Sequence, residues 1–418
     1  MKLFKLTGWI LGVLGFSLVF GSVSLSKELK VGFVGPLTGP AAKVGTEFKS
    51  AVDMAFDEVG YRVGEYGIKL VWIDSESDPE KAVRAYEQAA LRDRIDVSMI
   101  NWHSSVAIAL MNVVSKNRIP HYFGIGAAGT INEKYKSNPK RYGYWIGKGW
   151  PEPTKTTAGY AQMVEDAVKR GIYAPRNKKF VVFGEDTDWG RSVGKGYRKV
   201  MEDIGWECVS EDYFRPDETD FYPLLTSYKK KDVSIMIGTN SVPPSVAALT
   251  KQKAEVGVRA LLFCEGIADS GDWYKLMGPA SNGAIEGRAT WVTPGHLAFA
   301  KKFRELYGFE PSAAAAGQVY DYSRFFIKCL NAALKKYGEL NRKTLYRFGQ
   351  EFVMTGKIAS DKGIVHDELV YTPANFPDPE FGPGKWMFPI IQYSQGNPTV
   401  VWPPSQKTGE LFIPENAK

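Results

Sequence analysis

The sequence predicts an α/β protein of two lobes, each a doubly wound, mostly parallel sheet flanked by helices. Three observations carry that expectation. Short apolar runs rich in β-branched and aromatic residues alternate with segments of helical period. The alternation pauses at a stretch bearing glycine and proline, then begins again. A chain of 418 residues is also long enough for two cores.

The first unit is Leu29 to Val59. Leu29–Gly35 is an apolar run that stops at Pro36 and Gly39-Pro40, as a buried strand entering a loop does. From Ala41 the period becomes helical, with Val44, Phe48, Ala51, Val52, Ala55, Phe56 and Val59 on one face. Gly32, Gly35 and Gly39 do not have the GxGxxG spacing of a dinucleotide fingerprint. Further strands are expected at Ile68–Asp74, Val97–Asn101 and Ile119–Gly124. A helix entered at Pro79 runs to about Arg94, and another from Ser104 to about Asn117. GKGWPEPTK (147–155) breaks the rhythm and reads as the first crossing to a second lobe.

The pattern then restarts. KKFVVFGED, WECVSEDYF, VSIMIGT and ALLFCEG are expected strands, interleaved with helices at Gly190–Ile204, Phe221–Lys231 and Val246–Val256. AIEGRATWVTP (284–294) is the expected second crossing. A long helix from about Ser312 to Tyr337 completes lobe one, and a third crossing is expected near Thr355–Ile358. The proline-rich tail from Pro373 should wrap the surface around one last strand, FPIIQYS. This divides the chain into a leader (1–26), lobe one (27–147 with 295–355), lobe two (148–294 with 356–400) and a tail (401–418).

VGPLTGPAAKVGTEFKSAVDMAFDEV, DSESDPEKAV, EDTDWGRSVGKGY, ETDFYPLL and EGIADSGDW occur in that order over roughly residues 29–370. Together they resemble the leucine/branched-chain amino-acid-binding family, the type I periplasmic solute-binding proteins of ABC transporters. The resemblance implies a two-lobed type I periplasmic binding protein with three crossover hinge segments, closing on a small amino acid or related carboxylate. It also implies membrane permease subunits as partners, a periplasmic location and a monomer.

Ser104 and Ser105 follow a strand where a helix begins, so they serve equally as caps or as part of a carboxylate site. By the resemblance, Ser104 holds the ligand's carboxylate, and Trp102 adds a ring beside it. The family's next contact, an alanine–threonine pair, falls on Gly126 and Ala127, so the threonine hydroxyl is missing. Trp189 matches the aromatic that covers the ligand from lobe two, or is a core tryptophan. Asn240 stands where the family often has a tyrosine. Glu265 ends an apolar strand and needs a cationic partner; that is the ligand's α-ammonium by the resemblance, or otherwise a lysine or arginine. The altered Gly126, Ala127 and Asn240 positions, with Trp102 and Trp189, also suit an aromatic acid or amide. A ligand-sensing receptor domain is the remaining alternative.

His103, His121, His296 and His366 form no metal-binding spacing and no nucleophile elbow occurs, so neither enzyme nor cofactor is expected. The net charge is +7, and losing Lys2 and Lys5 from 53 basic residues against 46 acidic leaves +5. The lysines are scattered, which argues against nucleic acid as a partner. Cys208, Cys264 and Cys329 are an odd count, read as buried thiols, though export would permit one disulfide.

Lys2 and Lys5 precede an uncharged apolar run, Leu6–Phe20, followed by Ser22, Ser24 and Ser26. That is the layout of a secretory signal, with an uncleaved anchor as the alternative. N-terminal sequencing of protein exported by a compatible host should begin at Leu25 or Lys27. An intact Met1 in the membrane fraction would favour the anchor.

Overall fold

The structure, a computed structural model, describes residues 27–269, 271–290 and 295–418. The expected signal segment lies outside these. Thirteen strands among the described residues form two sheets. In chain order they are β1 (Lys27–Gly35), β2 (Arg62–Val63), β3 (Tyr66–Asp74), β4 (Val97–Met99), β5 (His121–Gly124) and β6 (Trp145–Lys148). There follow β7 (Lys179–Glu185), β8 (Glu207–Phe214), β9 (Ile235–Thr239), β10 (Leu261–Glu265), β11 (Ile285–Gly287), β12 (Ile390–Ser394) and β13 (Asn397–Trp402).

The first sheet has the order β2-β3-β1-β4-β5-β6, parallel except for β2. The second has the order β13-β12-β11-β10-β9-β7-β8, with β12 and β13 running antiparallel at one edge. Period-two alternation explains why the second sheet's strands read as unbroken apolar runs. Phe180, Val182, Ile235, Ile237, Leu261 and Phe263 join the core continuous with the first sheet. Their neighbours Val181, Phe183, Met236, Leu262 and Cys264 face a separate core on the other side. Helices cover both faces, as parallel sheets require.

The first βα unit of each sheet is built alike. In the helix Ala42–Asp57, a Cβ at Gly45 would stand 2.1 Å from the Pro36 carbonyl oxygen. In the helix Asp188–Asp203, a Cβ at Gly190 would stand 1.9 Å from that of Glu185. Only glycine lets either helix sit this close over the end of its strand.

The strands expected from the apolar runs are present, with ends shifted by one or two residues. The short strands β2, β6 and β11 were not expected; two to four residues give too little pattern to read. The last part of the chain also differs. After the helix Gln318–Tyr337, residues 356–388 stay beside the first sheet rather than crossing near Thr355–Ile358. The Asp321 carboxylate, on that helix, accepts the N–H groups of Ile364, Val365 and His366. Tyr371 stacks on Phe123 at 5.8 Å. The segment is partly interior, with His366, Tyr371, Asp378 and Trp386 buried; from Pro373 on, where a surface wrap was expected, buried residues alternate with exposed ones such as Pro373, Ala374, Pro383 and Gly384. It reaches the second sheet at Ile390 and supplies two strands there, not one. The three cysteines are free. Among the described residues no helix is long and apolar enough to cross a membrane.

A buried ion pair ties the first connection to this late segment. Lys148 Nζ lies 2.9 Å from Asp378 Oδ1, both side chains wholly buried, and Lys155 Nζ lies 3.0 Å from Oδ2. Burial opposes ionisation of Asp378, but the two lysines outweigh it and hold its carboxyl below the usual range. A carboxyl depressed on folding contributes stability that is fully present above its unfolded pKa, about 4. That contribution should vanish as pH falls through the folded value. Asp378→Asn leaves Lys148 buried without its counter-charge and should cost about 3–5 kcal/mol, read by urea denaturation at neutral pH. The deficit relative to wild type should shrink at acid pH.

Candidate functional site

Six strand ends converge on one cleft, the position where open α/β sheets bind ligands. The segment after β4 brings Trp102, His103 and Ser104, and the loop after β5 brings Ile125, Gly126 and Ala127. Trp150 follows β6 and Trp189 follows β7, while Ser241 and Arg288 follow β9 and β11. The cleft holds ≈ 330 Å³ of empty space, counting the part open to solvent.

Local backbone shapes the first wall. Ile100 and Phe123 take φ of 66° and 53°, a left-handed conformation rare for bulky side chains and strongly disfavoured for β-branched isoleucine. Such strain concentrates at functional sites. Asn101 fastens the two loops together, donating to the carbonyls of His103 and Ile125 at 2.8 Å each. Ser104 is the first residue of the helix Ser104–Asn117, but its hydroxyl does not cap that helix. It accepts the N–H groups of Ala127 and Ala128 at 3.1 Å each, so it positions the loop opposite.

The indoles form a connected set. Trp150 meets Trp102 and Trp189 edge-on, each with ring centroids 6.2 Å apart. Trp189 Nε1 donates to Thr239 Oγ1 at 3.0 Å, and the Thr187 hydroxyl caps its helix by accepting from Gly190 N. Over these rings lies a cation. The Arg288 guanidinium sits 4.6 Å from the Trp150 centroid and 5.7 Å from that of Trp102. It pairs with Asp269, and both side chains are buried. Burial alone would lower the guanidinium's pKa; Asp269, Glu286 and Glu265 more than reverse that and raise it.

Of the residues expected from sequence, Trp102, Ser104, Gly126, Ala127 and Trp189 line this cleft. Ser105, Asn240 and Glu265 do not. Ser105 is half-buried on the helix behind Ser104. Asn240 is turned into its own loop, accepting from Val242 N at 2.7 Å and donating to Ser245 Oγ and the Pro216 carbonyl. Glu265 accepts from Tyr160 OH at 3.0 Å. Burial raises its pKa, and the Arg288 charge partly offsets this.

Sequence reasoning missed Arg288, Trp150, His103 and Ser241. Two of these stand in segments read as crossings, where the alternating pattern stops and nothing in the spacing marks a ligand contact. A charged residue and a tryptophan inside such short connectors were the available signals. Among the described residues no cluster of His, Cys, Asp or Glu is arranged to hold a metal ion.

A family model described as "Periplasmic binding protein" matches residues 28–357. The chain belongs to that family of solute-binding proteins, which are exported. It is 22% identical over 340 residues to Leu/Ile/Val-binding protein homolog 7 of Brucella suis, covering 75% of this chain and 80% of that one. Its fold matches a solute-binding protein of an ABC transporter from Rhodopseudomonas palustris in complex with 3,4-dihydroxy benzoic acid. That match has a TM-score of 0.70 and 19% identity, over 89% of this chain and 95% of the other. It also matches a branched-chain amino acid transporter substrate binding protein from Streptococcus pneumoniae in complex with isoleucine. Here the TM-score is 0.69 and the identity 16%, over 89% and 98%.

Gly190 is the simplest test of how the second wall is held. Gly190→Ala forces a methyl against the Glu185 carbonyl and should displace the helix start that carries Trp189. Overpacking of this kind costs about 1–3 kcal/mol, measurable by chemical denaturation, and ligand affinity should fall with it.

Proposed function

We propose that this chain is the extracytoplasmic solute-binding component of an ABC importer, and that its ligand is a small carboxylic acid with a flat, apolar body. Residues 1–26 act as a cleaved leader, and the two sheets define lobes that close on the ligand. A ligand that touches both lobes stabilises the closed form, because only that form makes both sets of contacts. The observation that carries the ligand class is the lining: three indoles contributed by three different strand ends, with a cation and no carboxylate among the described residues around the cleft. Flat rings pack favourably against such walls. The related protein that holds 3,4-dihydroxy benzoic acid on this fold supports the reading. Ser104 and the Gly126–Ala127 loop frame the pocket at the first lobe, and Trp189 covers it from the second.

A second reading keeps a branched-chain amino acid as ligand, favoured by the relatives that carry that name and by the isoleucine complex. In that reading Glu265 meets the α-ammonium. Mass spectrometry of the ligand carried through purification, followed by calorimetric titration, separates the two. An aromatic acid should be recovered and should rebind. Trp150→Ala should weaken it by up to roughly tenfold, the loss of about 1.5 kcal/mol of ring-on-ring contact. Glu265→Gln should change affinity for that acid little. Recovery of leucine or isoleucine, with a loss of roughly 30-fold or more in Glu265→Gln, would replace the first reading by the second.

A further inference from the structure

The polar atoms left over at the cleft are few and of two kinds. Arg288 Nε and Trp102 Nε1, both N–H donors, are buried without a partner among the described residues. His103 Nε2 is in the same position. Buried polar atoms are normally satisfied, so these three on lining residues point to groups that a ligand supplies; Asn101 Oδ1 and Asp269 Oδ2, on residues behind the lining, are also without a partner.

The character of the third atom follows from its neighbours. Ser241 Oγ donates its proton to Glu185 Oε2 at 2.7 Å. Its lone pairs then face His103 Nδ1, 3.4 Å away, and the tautomer that satisfies this contact carries the ring proton on Nδ1. Burial lowers the His103 pKa to about 4, so the ring is neutral at physiological pH. Nε2 then presents a bare lone pair. It is an acceptor, unlike the other two atoms.

We propose that the cleft selects an aromatic acid bearing a hydroxyl, whose carboxylate is held by Arg288 with Trp102 Nε1 beside it and whose hydroxyl donates to His103 Nε2. This rests on the aromatic-acid reading above and names the contacts that reading leaves open. Asp269 is a positioning residue: it binds one terminal nitrogen of the guanidinium and leaves Nε for the ligand. Among the described residues no carboxylate lines the cleft directly; Asp269, bound to Arg288, keeps an unpartnered Oδ2 that an α-amino group would have to reach past the guanidinium.

The test is calorimetric titration of the exported protein with 4-hydroxybenzoate, benzoate and leucine. Wild type should bind 4-hydroxybenzoate about tenfold more tightly than benzoate, the worth of one net hydrogen bond at the upper end of its range. His103→Phe should bring that ratio to about one, and His103→Gln, whose amide oxygen can accept, should restore part of it. Arg288→Gln with Asp269→Asn, which removes the ion pair without orphaning either partner, should weaken both acids by roughly 30-fold or more. Thermal melts check that this double variant folds. If it does not, Arg288→Lys should weaken both acids while keeping the charge, because an ammonium has no planar fork. Tight benzoate binding that ignores both Arg288 variants would overturn the inference, as would an unchanged ratio in His103→Phe. In either case the aromatic-acid reading would stand. Leucine binding without benzoate or 4-hydroxybenzoate binding would instead overturn that reading and this inference together.

Discussion

A buried cation cannot be left without a counter-charge, and this chain carries one on each of the first two connections between its sheets. Lys148 ends β6 and Arg288 follows β11; both are wholly or almost wholly enclosed. Each is compensated by a carboxylate from elsewhere in the sequence, Asp378 for the first and Asp269 for the second. The long segment 356–388 follows from this. It must lie beside the first sheet for Asp378 to reach Lys148 and for Pro377 to accept Lys148 N–H at 2.7 Å. The same lysine donates to the Ala127 carbonyl at 3.1 Å, so the pair that anchors the connection also braces a wall of the cleft.

The second cation organises an acid-rich shell without making the cleft anionic. Glu185, Glu265 and Glu286 are buried near Arg288 but turned to other donors, while Asp269, also buried, binds the guanidinium itself. Glu286 accepts the N–H groups of Gly266, Ile267 and Ala268 and the Tyr393 hydroxyl, fixing the loop after β10. Burial raises its pKa to about 7, with Arg288 opposing. Glu185 holds Ser241 through both its N–H and its hydroxyl, at 2.7 Å each. What reaches the cleft is the guanidinium, lying on the Trp150 ring.

Trp150 and Arg288 belong to connections rather than to the body of either lobe. Trp150 also meets Phe388 at 4.6 Å and Trp386 at 5.7 Å, on the third connection. All three crossings are thus packed side by side through aromatic rings and one cation. The two structural relatives have nearly equal TM-scores while one holds an aromatic acid and the other an aliphatic amino acid. The fold by itself therefore does not name the ligand.

The sequence by itself determined the α/β class, the order of the principal strands and the restart of the pattern, because buried parallel strands and amphipathic helices write their periods into composition locally. Resemblance to the binding-protein family, together with a place just after a strand and just before a helix, also singled out Ser104 and Trp189, with Trp102 beside Ser104. Asn240 and Glu265 satisfy the same rule, yet their side chains turn to Ser245 and Tyr160 instead. Only the tertiary structure decided that, because position along a strand does not say which neighbour a polar side chain will find. Arg288 and Trp150 lie in short connectors with no period to read. Asp378 lies 230 residues from Lys148, and no local pattern announces a pairing made by the need to neutralise a charge that folding has enclosed.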